Sequence, residues 1–122
     1  MARVTGLLHA SLLVSDLARS RPFYEEILGL TPSSLRPPMK FDGTWYELGE
    51  QQIHLLELPN PEAALEKPEH GGRDRHVALR VDDLEGMRKK LEAAGIRYTR
   101  SQSGRAAIFC RDPEGNAFEL MG

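Results

Sequence analysis

A single cysteine, Cys110, stands among 122 residues, which excludes an intrachain disulfide framework and a thiolate-rich zinc site and suits a reducing compartment. An excess of charge of either sign is also missing: 16 Lys+Arg face 18 Asp+Glu, a formal net charge of −2. That balance gives no reason to meet a phosphate backbone or an anionic bilayer, so neither nucleic acid nor membrane is expected as a partner. There is no long apolar run either. The stretch from Leu7 to Val14 is broken by His9 and falls far short of the ~20 residues that span a bilayer. With no basic leader and no small-residue cleavage pattern, it reads as a strand of the mature fold of a cytoplasmic protein.

What remains is an ordinary globular composition, 40% hydrophobic and 28% charged, in a length suited to one domain, 1–122. Such a chain buries roughly two-thirds of its unfolded surface, enough for a single core. Within it lies an internal repeat. His9 to Leu17 and His76 to Leu84 share the frame His-x-x-Leu-x-Val-x-Asp-Leu at a constant offset of 67 residues. Each frame runs into a helical stretch closed by glycine, Asp16 to Gly29 and Asp83 to Gly95.

The second helix carries Leu84, Met87, Leu91 and Ala94 at helical spacing, and Asp82 with Glu85 reads as a capping box. In the first, Pro22 falls at an interior position and predicts a kink or a fresh start near Ser20. Three strands are expected after each helix: 31–36, 44–48 and 51–58, with Gly49-Glu50 as a hairpin turn, then 97–101, 105–111 and 117–121, with Asp112 to Asn116 as a turn. The fold class is α+β, a βαβββ unit used twice. Module one covers about 5–58, an exposed linker 59–74 with at most a short helical piece around 62–66, and module two about 75–122.

Strand alternation puts Leu8, Ala10, Leu12 and Val14 on the face that packs on a helix, leaving His9, Ser11 and Leu13 on the other. By the repeat His76 matches His9, while the final strands of the two halves hold His54 and Glu119 at matching places. Two such modules about a pseudo-two-fold axis can bring these residues to one point. Three imidazoles and a carboxylate suit zinc, iron, nickel, cobalt or manganese rather than calcium or magnesium. If one of the four only faces the cavity, two histidines and a carboxylate form a facial triad with open positions. Symmetry inherited from a duplicated ancestor, with no metal, is the competing reading.

The chain resembles the vicinal oxygen chelate superfamily, the glyoxalase/bleomycin-resistance/dioxygenase group. The resemblance is carried by His9 through Leu30, by Gly43-Thr44-Trp45-Tyr46-Glu47-Leu48-Gly49, by His76, and by Asp112-Pro113-Glu114-Gly115-Asn116 leading into Phe118-Glu119-Leu120. It implies a cupped mixed sheet around a divalent metal, and a homodimer. By position, His9, His76 and Glu119 match the commonest metal triad of the family. His54 falls where glyoxalase I enzymes place a metal-binding glutamate, so the site gains one unit of charge and loses a candidate base; Glu119 or His54 is left to move a proton.

The expected substrate contacts are Tyr46, Arg80, Arg105 and Ser11. Arg80 shares a face with His76 and meets either an anionic substrate or a rim partner. Of the neighbours Trp45 and Tyr46, one faces the cavity and the other the helix layer. Arg105 stands near the mouth or at a solvated strand end. His70 is expected to be solvated and Cys110 a buried structural thiol. Two functions stay open: a metalloenzyme of lyase, isomerase or oxygenase type that stabilises an oxyanion or enolate on a small oxygen-chelating substrate, and a protein that only sequesters a small molecule.

Overall fold

In the computed structural model, which describes residues 1–122, the first repeat opens with β1 (His9–Val14). Leu12 and Val14 turn toward the core, as the period of two requires, and Val14 is fully buried. Asp16 caps α1 (Leu17–Pro22) by accepting the Arg19 N–H at 3.2 Å, so the helix does not wait for Ser20. Proline acts downstream instead. Lacking an N–H for the carbonyl four residues back, Pro22 ends α1, and the chain widens into a π-helical turn, Phe23–Ile27. The Leu28 N–H closes that turn on the Phe23 carbonyl at 3.0 Å, and both Phe23 and Tyr24 are buried.

Strands β2 (Thr31–Pro32), β3 (Gly43–Leu48) and β4 (Gln51–Glu57) complete a four-stranded mixed sheet of order β1-β4-β3-β2, with β1 parallel to β4. β2 stops well short of the expected 31–36. The Ser33 N–H still reaches the Trp45 carbonyl at 2.7 Å, but the Ser33 hydroxyl then accepts the Leu35 N–H at 3.0 Å and turns the chain away. Gly49, at φ +61°, makes the tight β3–β4 hairpin.

The second repeat has the same plan: β5 (His76–Arg80), α2 (Leu84–Ala93), β6 (Tyr98–Arg100), β7 (Ala107–Arg111) and β8 (Ala117–Met121), in the order β5-β8-β7-β6 with β5 parallel to β8. The fold is therefore α+β, two βαβββ modules each forming a mixed four-stranded sheet. The cap of α2 is Asp83 rather than Asp82: its carboxylate accepts the Gly86 N–H at 2.9 Å, while Glu85 turns outward to pair with Arg88. Ala94 is exposed at the helix end rather than on its buried face. A Cβ on Gly86 would lie 2.3 Å from the capping Asp83 carboxylate. Gly86→Ala is thus expected to cost about 1 kcal/mol in chemical unfolding, the lost cap outweighing alanine's better helix propensity; a more stable variant would refute this.

The linker makes turns rather than a helix at 62–66, with Ala63 N–H to Asn60 O at 3.2 Å and Leu65 N–H to Glu62 O at 3.0 Å, then a 3₁₀ turn at Gly71–Arg73. One core serves both modules. Tyr24 stacks on Tyr46 of the first sheet at 5.6 Å and meets Phe118 of the second edge-on at 5.8 Å. The Lys90 ammonium donates to the Glu26 and Ile27 carbonyls, 3.2 Å each, at the end of the π turn. No helix is long and apolar enough to cross a membrane.

Candidate metal centre

The strand period that sends Ile53, Leu55, Tyr46 and Val14 into the core sends His54, Trp45 and His9 to the opposite face of the first sheet. The hairpin register sets Trp45 opposite His54, and their rings stack at 4.0 Å with planes 2° apart. His9 covers the other side of the His54 ring at 4.0 Å and 17°. His54 is thereby only 6% exposed, with its Nε2 2.8 Å from the Gln52 side-chain carbonyl oxygen. A carbonyl oxygen only accepts, so Nε2 carries the proton and Nδ1 keeps a lone pair. Burial, and secondarily the neighbouring His9 charge, hold the His54 pKa below the usual histidine value.

On the second sheet the period that buries Phe118 and Leu120 turns Glu119 to the face shared with His76. The His76 Nδ1 lies 2.8 Å from the Asp74 carbonyl and so must donate to it, leaving Nε2 as an acceptor. That Nε2 stands 3.3 Å from Glu119 Oε1. Asp74 is itself held by Arg111, which reaches its carboxylate at 2.8 Å, the Gly115 carbonyl at 2.8 Å and the Pro68 carbonyl at 2.7 Å. The Glu119 side chain is 5% exposed and its Oε2 makes no hydrogen bond; Arg105 Nη2 approaches that oxygen at 2.9 Å as an ion pair, off the angle of a hydrogen bond.

The four expected ligands are thus brought together as two pairs, His9 with His54 and His76 with Glu119. Nowhere in the chain do three or more His, Cys, Asp or Glu residues gather in a metal-holding group. The His76–Glu119 pair nonetheless fits half of a metal site, whereas His9 and His54 stack face to face with His54 Nε2 already on Gln52, so their in-plane lone pairs do not converge as they stand. Two lone-pair donors 3.3 Å apart repel each other unless a proton or a cation lies between them. The same spacing is close to the ~3.4 Å edge of a tetrahedron built on ~2.1 Å bonds to nitrogen and oxygen. The Asp74 carbonyl supplies the outer hydrogen bond that fixes the His76 ring, as metal-bound imidazoles need.

Other expectations require correction. Tyr46 does not meet this face: it is 0% exposed under the helix layer, its hydroxyl donating to Glu25 at 2.8 Å, and Trp45 takes the open side. Burial and the Glu25 carboxylate push the Tyr46 phenol pKa upward. His70 is not solvated, since its Nδ1 lies 2.6 Å from the Thr99 hydroxyl and its ring packs on Phe109 at 4.8 Å. Cys110, by contrast, is the buried free thiol expected, and burial raises its pKa to about 12. Ser11 and Arg80 are exposed, and Ser11 lines a cavity of about 340 Å³ that also reaches His76. A larger cavity of about 1030 Å³, between the linker and β6–β7, contains none of the four expected ligands. Phe109, which meets both His70 and His76 edge-on, had no sequence signal beyond its strand parity.

Comparison with known proteins agrees with the fold and its paired modules. Residues 6–120 match the Glyoxalase/Bleomycin resistance protein/Dioxygenase superfamily, and the chain belongs to that family. It is 33% identical over 124 residues to a lactoylglutathione lyase of Haemophilus influenzae, covering 94% of this chain and 90% of the relative. It is 31% identical over 122 residues to Glyoxylase I 4 of Arabidopsis thaliana, covering 96% of this chain and 70% of that one. A solved structure from Bacillus anthracis, ascribed to the glyoxalase family, superposes with a TM-score of 0.76 at 22% identity, covering 98% of this chain and 96% of the other.

Proposed function

We propose that the chain is one subunit of a homodimeric, divalent-metal-dependent, glyoxalase-like enzyme, with the metal held by His9 and His54 of one copy and His76 and Glu119 of another. The division of the four donors into two pairs, one on each sheet, with no third donor beside either, carries this reading. A second copy related by a two-fold axis supplies each pair with its complement twice over. The bound metal, one of iron, zinc, nickel, cobalt or manganese, would supply Lewis-acid polarisation of an oxygen on a small oxygen-chelating substrate.

The chain's own residues do the rest. His54, whose pKa burial and the neighbouring His9 hold below the usual histidine value, and Glu119 are the groups assigned to move a proton. Arg105, in an ion pair with Glu119, Ser11, opposite His54 in the β1–β4 register, and Arg80, on the same strand face as His76, are assigned to meet the substrate. Likeness to lactoylglutathione lyases favours a lyase or isomerase over an oxygenase. By the resemblance, His54 is an imidazole where glyoxalase I enzymes carry a glutamate, which would set the net charge of the metal site one unit higher and favour an anionic substrate.

The second reading, a protein that sequesters a small molecule without catalysis, is favoured by the cavity of about 1030 Å³ that none of the four donors lines. Elemental analysis of protein purified without chelator or affinity-tag metal, read beside its mass in solution, separates the two. About one transition-metal ion per chain in a dimer is expected. No metal, even after reconstitution, would overturn the enzyme reading and leave the sequestering one.

A further inference from the structure

Glu119 divides its two oxygens between two different neighbours. Oε1 faces the His76 Nε2 lone pair at 3.3 Å, and Oε2 faces the Arg105 guanidinium at 2.9 Å. The carboxylate side chain is 5% exposed and Oε2 is sealed from solvent, whereas the Arg105 side chain is 52% exposed. A guanidinium on a rim would ordinarily swing free in water, at little cost to the protein. This one is held from behind: its Nε donates to the Ser103 hydroxyl at 2.8 Å, and Ser103 Oγ is in turn 2.8 Å from Ser101 Oγ. The Ser101 N–H bonds the Ala107 carbonyl at 2.9 Å, which anchors this short chain of groups to β7. The loop between β6 and β7 therefore delivers a braced cation to the buried oxygen of Glu119.

We propose that Arg105 is the positioning residue of the metal half-site, holding Glu119 Oε2 so that Oε1 is presented, in one orientation, beside His76. The proposal rests on the metal-centre reading above and adds to it a residue that touches no metal. A carboxylate free to rotate would offer either oxygen, or both, and would lose orientation entropy on every binding event. With Oε2 committed to a guanidinium, Glu119 has one donor oxygen left. The ion pair also draws electron density from the carboxylate, so Oε1 is a weaker donor and leaves the metal more electrophilic. Orientation favours binding and charge opposes it; outer partners of metal ligands generally raise affinity about 10–100-fold, so orientation is expected to prevail.

Metal affinity of the dimeric full chain, measured by competition of Zn²⁺ with a chromophoric chelator, tests this. The visible spectrum of the Co²⁺-substituted protein provides a second readout. Arg105→Met is expected to weaken Zn²⁺ binding by about 10-fold or more and to shift the Co²⁺ bands, while the metal-free protein stays folded with its melting temperature lowered by the loss of the Glu119 Oε2 partner. Arg105→Lys should recover part of the affinity, and Ser103→Ala, which removes the brace alone, should lose a smaller factor. Unchanged or tighter Zn²⁺ binding by Arg105→Met, beside a wild-type chain that binds normally, overturns the positioning role while leaving the metal centre standing. Failure of the wild-type chain to bind Zn²⁺ or Co²⁺ overturns both together.

Discussion

Mixing two defective chains is expected to restore about one quarter of the wild-type metal content. One chain carries His9→Ala and His54→Ala; the other carries His76→Ala and Glu119→Ala. Each alone is expected to lose metal retention by at least ~100-fold, since a missing ligand costs more than the missing outer partners whose loss already costs 10–100-fold. Among single variants, His9→Ala, His76→Ala and Glu119→Ala should each fall sharply and His54→Ala less, because Gln52 already engages its Nε2 at 2.8 Å. All four side chains lie on faces turned away from the core cluster, so the variants are expected to fold.

After unfolding and co-refolding, half of the dimers are mixed, and each mixed dimer holds one site made of two intact pairs and one made of two damaged pairs. Elemental analysis of the refolded mixture reads the result. No recovery, from chains whose wild type holds one ion each, would show that the ligands come from a single copy.

The architecture was legible because duplication marks the chain twice. The frame from His9 to Leu17 and its copy from His76 to Leu84 mark the opening strand and helix start of each sheet, and strand parity separates His54 from Ile53 and Glu119 from Phe118. The side taken by Trp45 was within reach too. A two-residue turn at Gly49-Glu50 pairs Leu48 with Gln51, and counting outward pairs Trp45 with His54.

Other features depend on contacts between distant segments. Nothing local shows that Pro22 widens the next turn rather than delaying the helix, since tertiary packing of Phe23 and Tyr24 decides it. His70 lies in a polar linker, and its contacts with Thr99 and Phe109 exist only once the linker crosses the second sheet. The division of the four candidate donors into pairs was equally hidden, because symmetry predicts which positions are equivalent and says nothing of which of them stand close together.

Loss of the Asp112 carboxylate is expected to be the most damaging change to stability, about 3–5 kcal/mol for Asp112→Ala. This buried side chain joins the two modules. Its Oδ1 accepts the Glu114 N–H at 3.0 Å and the Asn116 N–H at 2.8 Å, shaping the turn into β8. Its Oδ2 accepts the Asn116 side-chain amide at 3.0 Å and the Tyr24 hydroxyl at 2.5 Å, reaching into the first module. Asn116 also donates to the Leu13 carbonyl of β1 at 3.2 Å. Removing the acceptor strands several donors, among them the hydroxyl of the fully buried Tyr24, and each costs about 1–3 kcal/mol when left unpaired.

Asp112→Asn keeps the shape but turns one acceptor into a donor facing donors, so a loss of about 1–2 kcal/mol is expected. The two variants also separate by pH. Burial lifts the Asp112 pKa above the usual aspartate value even against its four donors. The folded chain then keeps a proton that the unfolded chain has released, so this group's contribution to stability falls as pH rises from the ordinary aspartate range through the folded value. Urea unfolding across that window should show the decline in the wild type and a flatter profile in Asp112→Asn. A loss below 1 kcal/mol for Asp112→Ala would mean that the turn and Tyr24 find other partners, and that Asp112 does not join the modules.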